Sequence, residues 1–467
     1  MLVVLDVVMT RRALAGSTLV VTAAVAAIGG FVSETRVSSR PAGLVTLRAR
    51  TTRSTADTLA YTGAAAASDE PLQSTEWWRA DVRVDGLTPP APGVPVTIVD
   101  SGVDFAHQEF VGRPDLTALN NQEPAPIGGV HGTAVASVIG ASANGIGLLG
   151  LYPTAAIRTY DASLGDGTRL PSSDIAAGIV AAASGGRTVI NLSLGGNSPD
   201  PSIESAVAQA VRAGDLVVAA SGNSGEEGNP LSYPGASPHV LTVAATDQND
   251  QVASFSSQSS FVDISAPGVD IPVATALDNS YAPESGTSFS SPMVAAAAAW
   301  LWTVRPTLDA SQVAEILRRS ARDIGTPGFD VASGYGILDL TAALATATPL
   351  SDPGEPNDDI ASARTVTTQL KASGSASGRV AAFDDPRDDL RIWLPKGKRL
   401  TVTGATGSNV ALSLSTTTSG QLAHSSLSTG KSMLTYRNAK AGRTAFVQVT
   451  PAQGVRTSDY TLTFAVT

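Results

Sequence analysis

Short uninterrupted apolar runs recur through the middle of the chain, at Val96-Thr97-Ile98-Val99, Val189-Ile190-Asn191-Leu192 and Leu216-Val217-Val218-Ala219. Runs of this length without alternation predict strands buried on both faces. Stretches with helical spacing lie between them, Ile175 to Ala183 and Ile203 to Ala213. Strand and helix in turn predict an α/β fold with a parallel sheet covered on both sides. After Leu350 the pattern changes to alternating segments rich in Ser, Thr and Gly, as in Leu390-Arg391-Ile392-Trp393-Leu394 and Tyr460-Thr461-Leu462-Thr463-Phe464. Alternation with frequent turns predicts a small all-β sandwich.

The N-terminal region follows neither pattern. Arg11 and Arg12 precede an uncharged stretch from Ala13 to Ser33, the order of a secretory signal, and Ala24-Val25-Ala26 offers a cleavage site. Met9 is the more ordinary start for such a segment. An uncleaved membrane anchor is the alternative, since about 20 uncharged residues can span a bilayer. The expected organisation is a signal peptide or anchor over 1–33 and a short leader over 34–68. A catalytic α/β domain over 69–345, a linker rich in Pro and acids over 346–358 and a β-sandwich over 359–467 follow.

Composition narrows the chemistry. The 467 residues include no cysteine, which excludes thiol nucleophiles, disulfides and thiolate metal sites. All five lysines lie between Lys371 and Lys440, so a Ser-Lys dyad or lysine Schiff base is excluded upstream. A net charge of -10 argues against a nucleic-acid partner. Residues 1–68 carry seven Arg against three acids, so a chain starting at Asp69 carries -14. Imidazole chemistry has four candidates, His107, His131, His239 and His424.

Of these, His131 stands in a chemical context. It lies in Gly128-Gly129-Val130-His131-Gly132-Thr133-Ala134, leading into a helix of small residues. Asp100 closes the strand 96–99 and is followed by the turn Ser101-Gly102, at the sheet edge where open α/β folds bind ligands. Ser288 lies in Ser285-Gly286-Thr287-Ser288-Phe289-Ser290-Ser291-Pro292. If Pro292 occupies a first helical turn, Ser288 is at a helix N-terminus that favours developing negative charge. Asn223, after the strand 216–220, offers an amide donor from the same edge. Each motif alone is a common turn or cap. Together they supply a nucleophile, a base, a carboxylate to orient the base, and an oxyanion donor.

The three segments Val99-Asp100-Ser101-Gly102-Val103-Asp104, His131-Gly132-Thr133-Ala134-Val135-Ala136 and Gly286-Thr287-Ser288-Phe289-Ser290-Ser291-Pro292 resemble the signatures of subtilisin-like serine proteases, the subtilases. The resemblance covers about residues 70–345. It implies a subtilisin-like three-layer fold and a catalytic set of Asp100, His131 and Ser288, with Asn223 and the Ser288 N–H holding the oxyanion. It also implies that Ser193-Leu194-Gly195 pairs with an extended substrate, and that the segments of Ser221-Gly222 and Ser232-Tyr233 wall the pocket for the residue before the cleaved bond. Small uncharged walls suggest an apolar or aromatic preference there, with Glu226 and Glu227 just beyond.

Gly145-Ile146-Gly147-Leu148-Leu149-Gly150 has the glycine spacing of a dinucleotide loop but follows a helix instead of a strand, so that reading fails. Asn144 to Gly150 resembles the subtilase calcium loop, with Gln73 and Glu109 as further ligands; Glu109 stands where the family often has Asp. A structural calcium is therefore implied, held by Gln73, Glu109 and Asn144, and no cofactor is needed for the chemistry. His107, His239 and His424 are read as structural or solvated. Neither His-Glu-x-x-His nor Gly-x-Ser-x-Gly occurs.

The segment from Glu355-Pro356-Asn357-Asp358-Asp359 is similar to the pre-peptidase C-terminal domains of secreted bacterial proteases, which implies a role in secretion, surface attachment or substrate contact. A spacer without a ligand is equally compatible. The leader is shorter than the usual inhibitory propeptide of subtilases. The expected activity is that of a secreted, monomeric serine endopeptidase acting on proteins or peptides. The alternative is a peptide- or surface-binding protein on the same scaffold that no longer turns over substrate.

Overall fold

A computed structural model describes residues 70–120, 130–163, 169–276, 278–352, 354–358, 360–368, 373–416, 420–428 and 431–467, with short strands at 2–5 and 31–33. The signal and leader assignments fall mainly outside the described residues. Among the described residues no helix is long and apolar enough to cross a membrane. The chain divides into two compact units, Met1–Ala347 and Thr348–Thr467.

The first unit is built on seven parallel strands. In chain order they are β1 (Val96–Asp100), β2 (Leu116–Ala118), β3 (Ile157–Asp161), β4 (Val189–Leu192), β5 (Leu216–Ala220), β6 (Val240–Thr246) and β7 (Val262–Pro267). Their order across the sheet is β7-β6-β5-β4-β1-β3-β2. The side chains of each strand go alternately to two separate cores. Val96, Ile98, Leu216 and Val218 join one, while Val99, Ile190, Leu192, Val217 and Ala219 join the other. Both cores are apolar, which is why the strands read as continuous hydrophobic runs.

Helices α1 (Val130–Gly140) and α4 (Thr287–Val304) cover the first face; α2 (Ser172–Ser184) and α3 (Pro201–Ala213) cover the second. The first turn of α3 is fixed by Asp200, whose side chain accepts the Ser202 N–H, and by Pro201 at the opening position. Gly214 follows in a left-handed conformation and ends the helix. Helix α4 is buried on all sides from Thr287 to Trp302, so its Ala295–Ala299 segment lies inside the core, with no solvent-facing stripe. An antiparallel hairpin, β8 (Ile271–Thr275) and β9 (Ser280–Glu284), leads from β7 into α4. Helices α5 (Ala310–Ser320) and α6 (Leu340–Ala345) complete the unit.

The second unit is all-β. One antiparallel sheet joins β11 (Ser373–Ala381), β19 (Thr457–Val466), β13 (Arg399–Gly404), β17 (Lys431–Arg437) and β16 (Ser426–Ser428), in that order. The other joins β10 (Arg364–Thr365), β12 (Asp388–Leu394), β18 (Arg443–Pro451), β14 (Val410–Thr416) and β15 (Gly420–His424). Val380, Leu462 and Phe464 of the first sheet meet Leu390, Ile392 and Val447 of the second in a shared core, a sandwich. At one end Asp352, Glu355, Asp385 and Asp388 converge, with ligand-type oxygens within 4.8 Å of one another. Asp388 is fully buried and accepts a hydrogen bond from the Tyr460 hydroxyl. Burial and neighbouring acids push the Glu355 carboxyl up to about 10 and hold those of Asp385 and Asp388 well above the usual range.

Candidate active site

Asp100 is the last residue of β1, His131 the second of α1 and Ser288 the second of α4. Each is therefore fixed by the end of a rigid element, and each is buried. Helix α1 can lie this close to the β1 turn because position 132 is glycine; a Cβ there would stand 2.0 Å from the Gly102 carbonyl oxygen. His131 Nδ1 lies 2.8 Å from Asp100 Oδ1 and 3.0 Å from Oδ2. Asp100 Oδ1 also accepts the Ser101 N–H at 2.7 Å. Burial opposes the imidazolium, but the charge and hydrogen bond of Asp100, with Glu284 adding to them, outweigh it and hold His131 above its ordinary range.

The Ser288 hydroxyl donates to the Ser193 carbonyl at 3.2 Å, and His131 Nε2 has no hydrogen-bond partner among the described residues. The Ser193 hydroxyl returns a hydrogen bond to the Ser288 carbonyl at 2.8 Å. That carbonyl is open because the residue four positions on is Pro292, which has no N–H to offer. Pro292 thus lies inside α4, one turn later than the first-turn position expected from the sequence. The arrangement locks the loop after β4 against Ser288, and Asn191 and Ser291 extend it through bonds of 3.0 and 2.7 Å.

Asn223 Oδ1 accepts the Thr287 N–H at 3.0 Å and the Thr287 hydroxyl at 2.8 Å. These two bonds set which end of the amide carries the donor. A cleft of about 350 Å³ opens between the loops after β4 and β5 and is lined by Leu194, Gly195, Asn197, Ala220, Gly222, Asn223, Ser232, Ser257 and Ser288 among others. Ser193 is buried behind it. Ser221 gives its N–H to the Val243 carbonyl, and Tyr233 forms an antiparallel bridge with Gly196 at 2.7 and 2.9 Å, which fixes the backbone of both segments beside the cleft-lining Gly222 and Ser232. Glu226 and Glu227 also lie outside it. Asn197 and Ser257 carry no signal in the sequence, because neither sits in a motif.

Around the loop 144–150, three carboxylates accept backbone N–H groups. Glu70 takes Gly145 at 2.8 Å, Glu109 takes Leu148 at 2.9 Å and Glu76 takes Leu149 at 3.0 Å. Asn144 Oδ1 accepts the Ile146 N–H and its amide donates to the Gln108 carbonyl. Gln73 opens a single 3₁₀ turn nearby, where its N–H meets the Glu70 carbonyl. Oε2 of both Glu70 and Glu109 is buried without a partner among the described residues. Burial pushes Glu109 up to about 7 against the hydrogen bonds from Tyr281 and Leu148, and holds Glu76 well above its usual range. An oxygen-only set with two orphaned carboxylate oxygens fits a hard cation such as calcium. Glu70 and Glu76 carry no motif signal. His107 is buried, with a T-shaped contact to Tyr281, and takes no part in the triad cluster.

The sequence profile described as the subtilase family matches residues 91–336. The chain is 37% identical over 276 residues to subtilisin BL of Lederbergia lenta, covering 58% of this chain and 99% of that protein. It is 34% identical over 312 residues to the minor extracellular protease Epr of Bacillus subtilis, covering 65% of this chain but only 47% of Epr, so it spans about half the length of that relative. Among solved structures it is similar to the psychrophilic subtilisin-like protease Apa1 from the Antarctic Pseudoalteromonas sp. AS-11, with 22% identity, a TM-score of 0.49, and coverage of 54% of this chain and 92% of that one.

Proposed function

The chain belongs to the subtilase family of serine endopeptidases, and from that premise we propose that it is a secreted enzyme in which Ser288, His131 and Asp100 hydrolyse peptide bonds through an acyl-enzyme. The observation that carries the reading is the pair of short contacts from His131 Nδ1 to Asp100, with the ring of Phe289, the residue after the buried Ser288, centred 5.9 Å from the imidazole. A carboxylate on Nδ1 leaves Nε2 as the basic nitrogen. Ser288 Oγ rotates from the Ser193 carbonyl to His131 Nε2, gives up its proton and attacks the substrate carbonyl carbon. Asn223 and the Ser288 N–H hold the oxyanion, aided by the α4 N-terminus. Collapse breaks the C–N bond, with His131 returning its proton to the departing amine. Water then repeats the sequence to release the acyl group.

The loop after β4 is suited to pair with an extended substrate, and the cleft walled by Gly195, Gly222 and Ser232 to take the side chain before the cleaved bond. Glu109, Asn144 and Gln73 would hold a calcium ion that stiffens the loop 144–150 and supplies no chemistry. Residues 69–345 form the catalytic domain in this reading, preceded by a signal peptide or anchor and a short leader. The 359–467 sandwich contributes secretion, surface attachment or substrate contact.

The test is casein hydrolysis by the purified full-length protein. Native enzyme cleaves casein and Ser288→Ala does not; undiminished hydrolysis by Ser288→Ala overturns the proposal.

A further inference from the structure

Beside His131 stands an ionisable group that the triad chemistry does not use. Glu284 ends β9, four residues before Ser288, and is paired in register with Ile271 on β8. Strand β8 packs against α1, where the Ala274 N–H donates to the Ser137 hydroxyl at 3.0 Å. The hairpin thereby holds a carboxyl close to the helix that carries His131. Glu284 is half-buried, and its Oε2 is fully covered without a hydrogen-bond partner among the described residues. Lysine is absent from the first 370 residues, and among the described residues His131 is the charged group that acts on Glu284.

Its position relative to the scissile bond follows from the cleft. The acyl-side pocket is walled by Leu194, Gly195, Gly222, Ser232 and Ser257, and Glu284 is not among its lining residues. His131 is the group that protonates the departing amine. The Glu284 carboxyl is thus within electrostatic reach of His131 and outside the lining of the acyl-side pocket.

We propose that Glu284 determines specificity by accepting a Lys or Arg side chain at the substrate position immediately after the scissile bond. The inference rests on the endopeptidase reading. An orphaned carboxyl at a site rim is matched by a substrate ammonium or guanidinium, which would occupy the place that no Lys or Arg fills among the described residues. Burial pushes Glu284 up to about 7, with His131 pulling it back down, and Asp100 is held at Nδ1 of that ring. The carboxylate form therefore grows as pH rises from 6 to 8, and the preference grows with it.

The experiment digests a proteome-derived peptide library with the full-length enzyme at pH 6 and pH 8 and identifies cleavage sites by mass spectrometry. Lys and Arg just after the cut bond are expected to be cleaved about fivefold faster than Gln and Ala at pH 8, the size of a partly exposed ion pair, and less so at pH 6. Glu284→Gln removes the difference at both pH values, and Glu284→Asp restores part of it. Cleavage with no such preference in the native enzyme, or the same preference in Glu284→Gln, overturns the assignment. A library left wholly uncut overturns the endopeptidase reading instead.

Discussion

His131 Nδ1 touches both carboxylate oxygens of Asp100, at 2.8 and 3.0 Å, with both residues almost completely buried. The contact decides the tautomer of the ring and leaves Nε2 as the nitrogen able to accept a proton. Asp100→Asn should leave the fold intact and lower kcat by about 10⁴, the scale seen when such a carboxylate is removed from a triad. The pH profile supplies a second signature. His131 is held above its ordinary range, so native activity falls as pH drops through that raised value, where the ring becomes protonated and can no longer accept a proton. In Asp100→Asn the residual activity should persist to lower pH, because the charge that raised the imidazole is gone.

Asn223 is tied through Oδ1 to the N–H and hydroxyl of Thr287, which directs its amide donor rather than letting it rotate. Asn223→Ala is expected to reduce kcat by about 10²–10³ with little change in KM, since the lost hydrogen bond forms in the transition state. Steady-state kinetics on one peptide substrate separates the two parameters.

The cation reading of the 144–150 loop is open to a direct thermal test. Chelator should lower the melting temperature of the first unit, and Asn144→Ala should abolish the difference between chelated and calcium-loaded protein. An identical melting temperature with and without chelator in the native protein contradicts it.

The second unit carries its own pH dependence. The Glu355 carboxyl sits near 10 in the folded chain and those of Asp385 and Asp388 are well above the usual range. Unfolded carboxyls titrate near 4. Between those values the folded state binds more protons than the unfolded state, so stability is greatest in mild acid and declines as pH rises towards 10. Calorimetry in chelator, which keeps cations from neutralising the cluster, should show the second unit melting at falling temperature from pH 5 to pH 9. Asp388→Asn should flatten that dependence.

Much of the first unit is legible in the sequence because its physics is local. The buried strands 96–99, 189–192 and 216–219 are continuous apolar runs, and they agree with β1, β4 and β5 to within one residue. The expected helices 175–183 and 203–213 lie within α2 and α3. Asp100, His131 and Ser288 announce themselves by ending a strand or opening a helix. Features assembled from distant single residues leave no such trace. Glu284 stands immediately before the Ser285–Pro292 motif, but nothing local shows that its hairpin folds against the helix of His131. Asp352, Glu355, Asp385 and Asp388 converge only when the sandwich closes. Pro292 sits deeper in its helix than expected because the Ser193 hydroxyl, 95 positions away, satisfies the carbonyl that the proline leaves open, and no local pattern foretells such a partner.

The central claim is that Ser288 is the nucleophile activated by His131, and covalent labelling tests it most directly. The full-length protein is treated with a serine-directed fluorophosphonate, digested with trypsin and mapped by mass spectrometry while casein hydrolysis is followed in parallel. A single adduct on Ser288 that grows as activity is lost is expected, together with a strong decrease in labelling rate for His131→Ala. Casein hydrolysis that continues without an adduct on Ser288, or labelling of Ser288 that proceeds equally fast in His131→Ala, would contradict it.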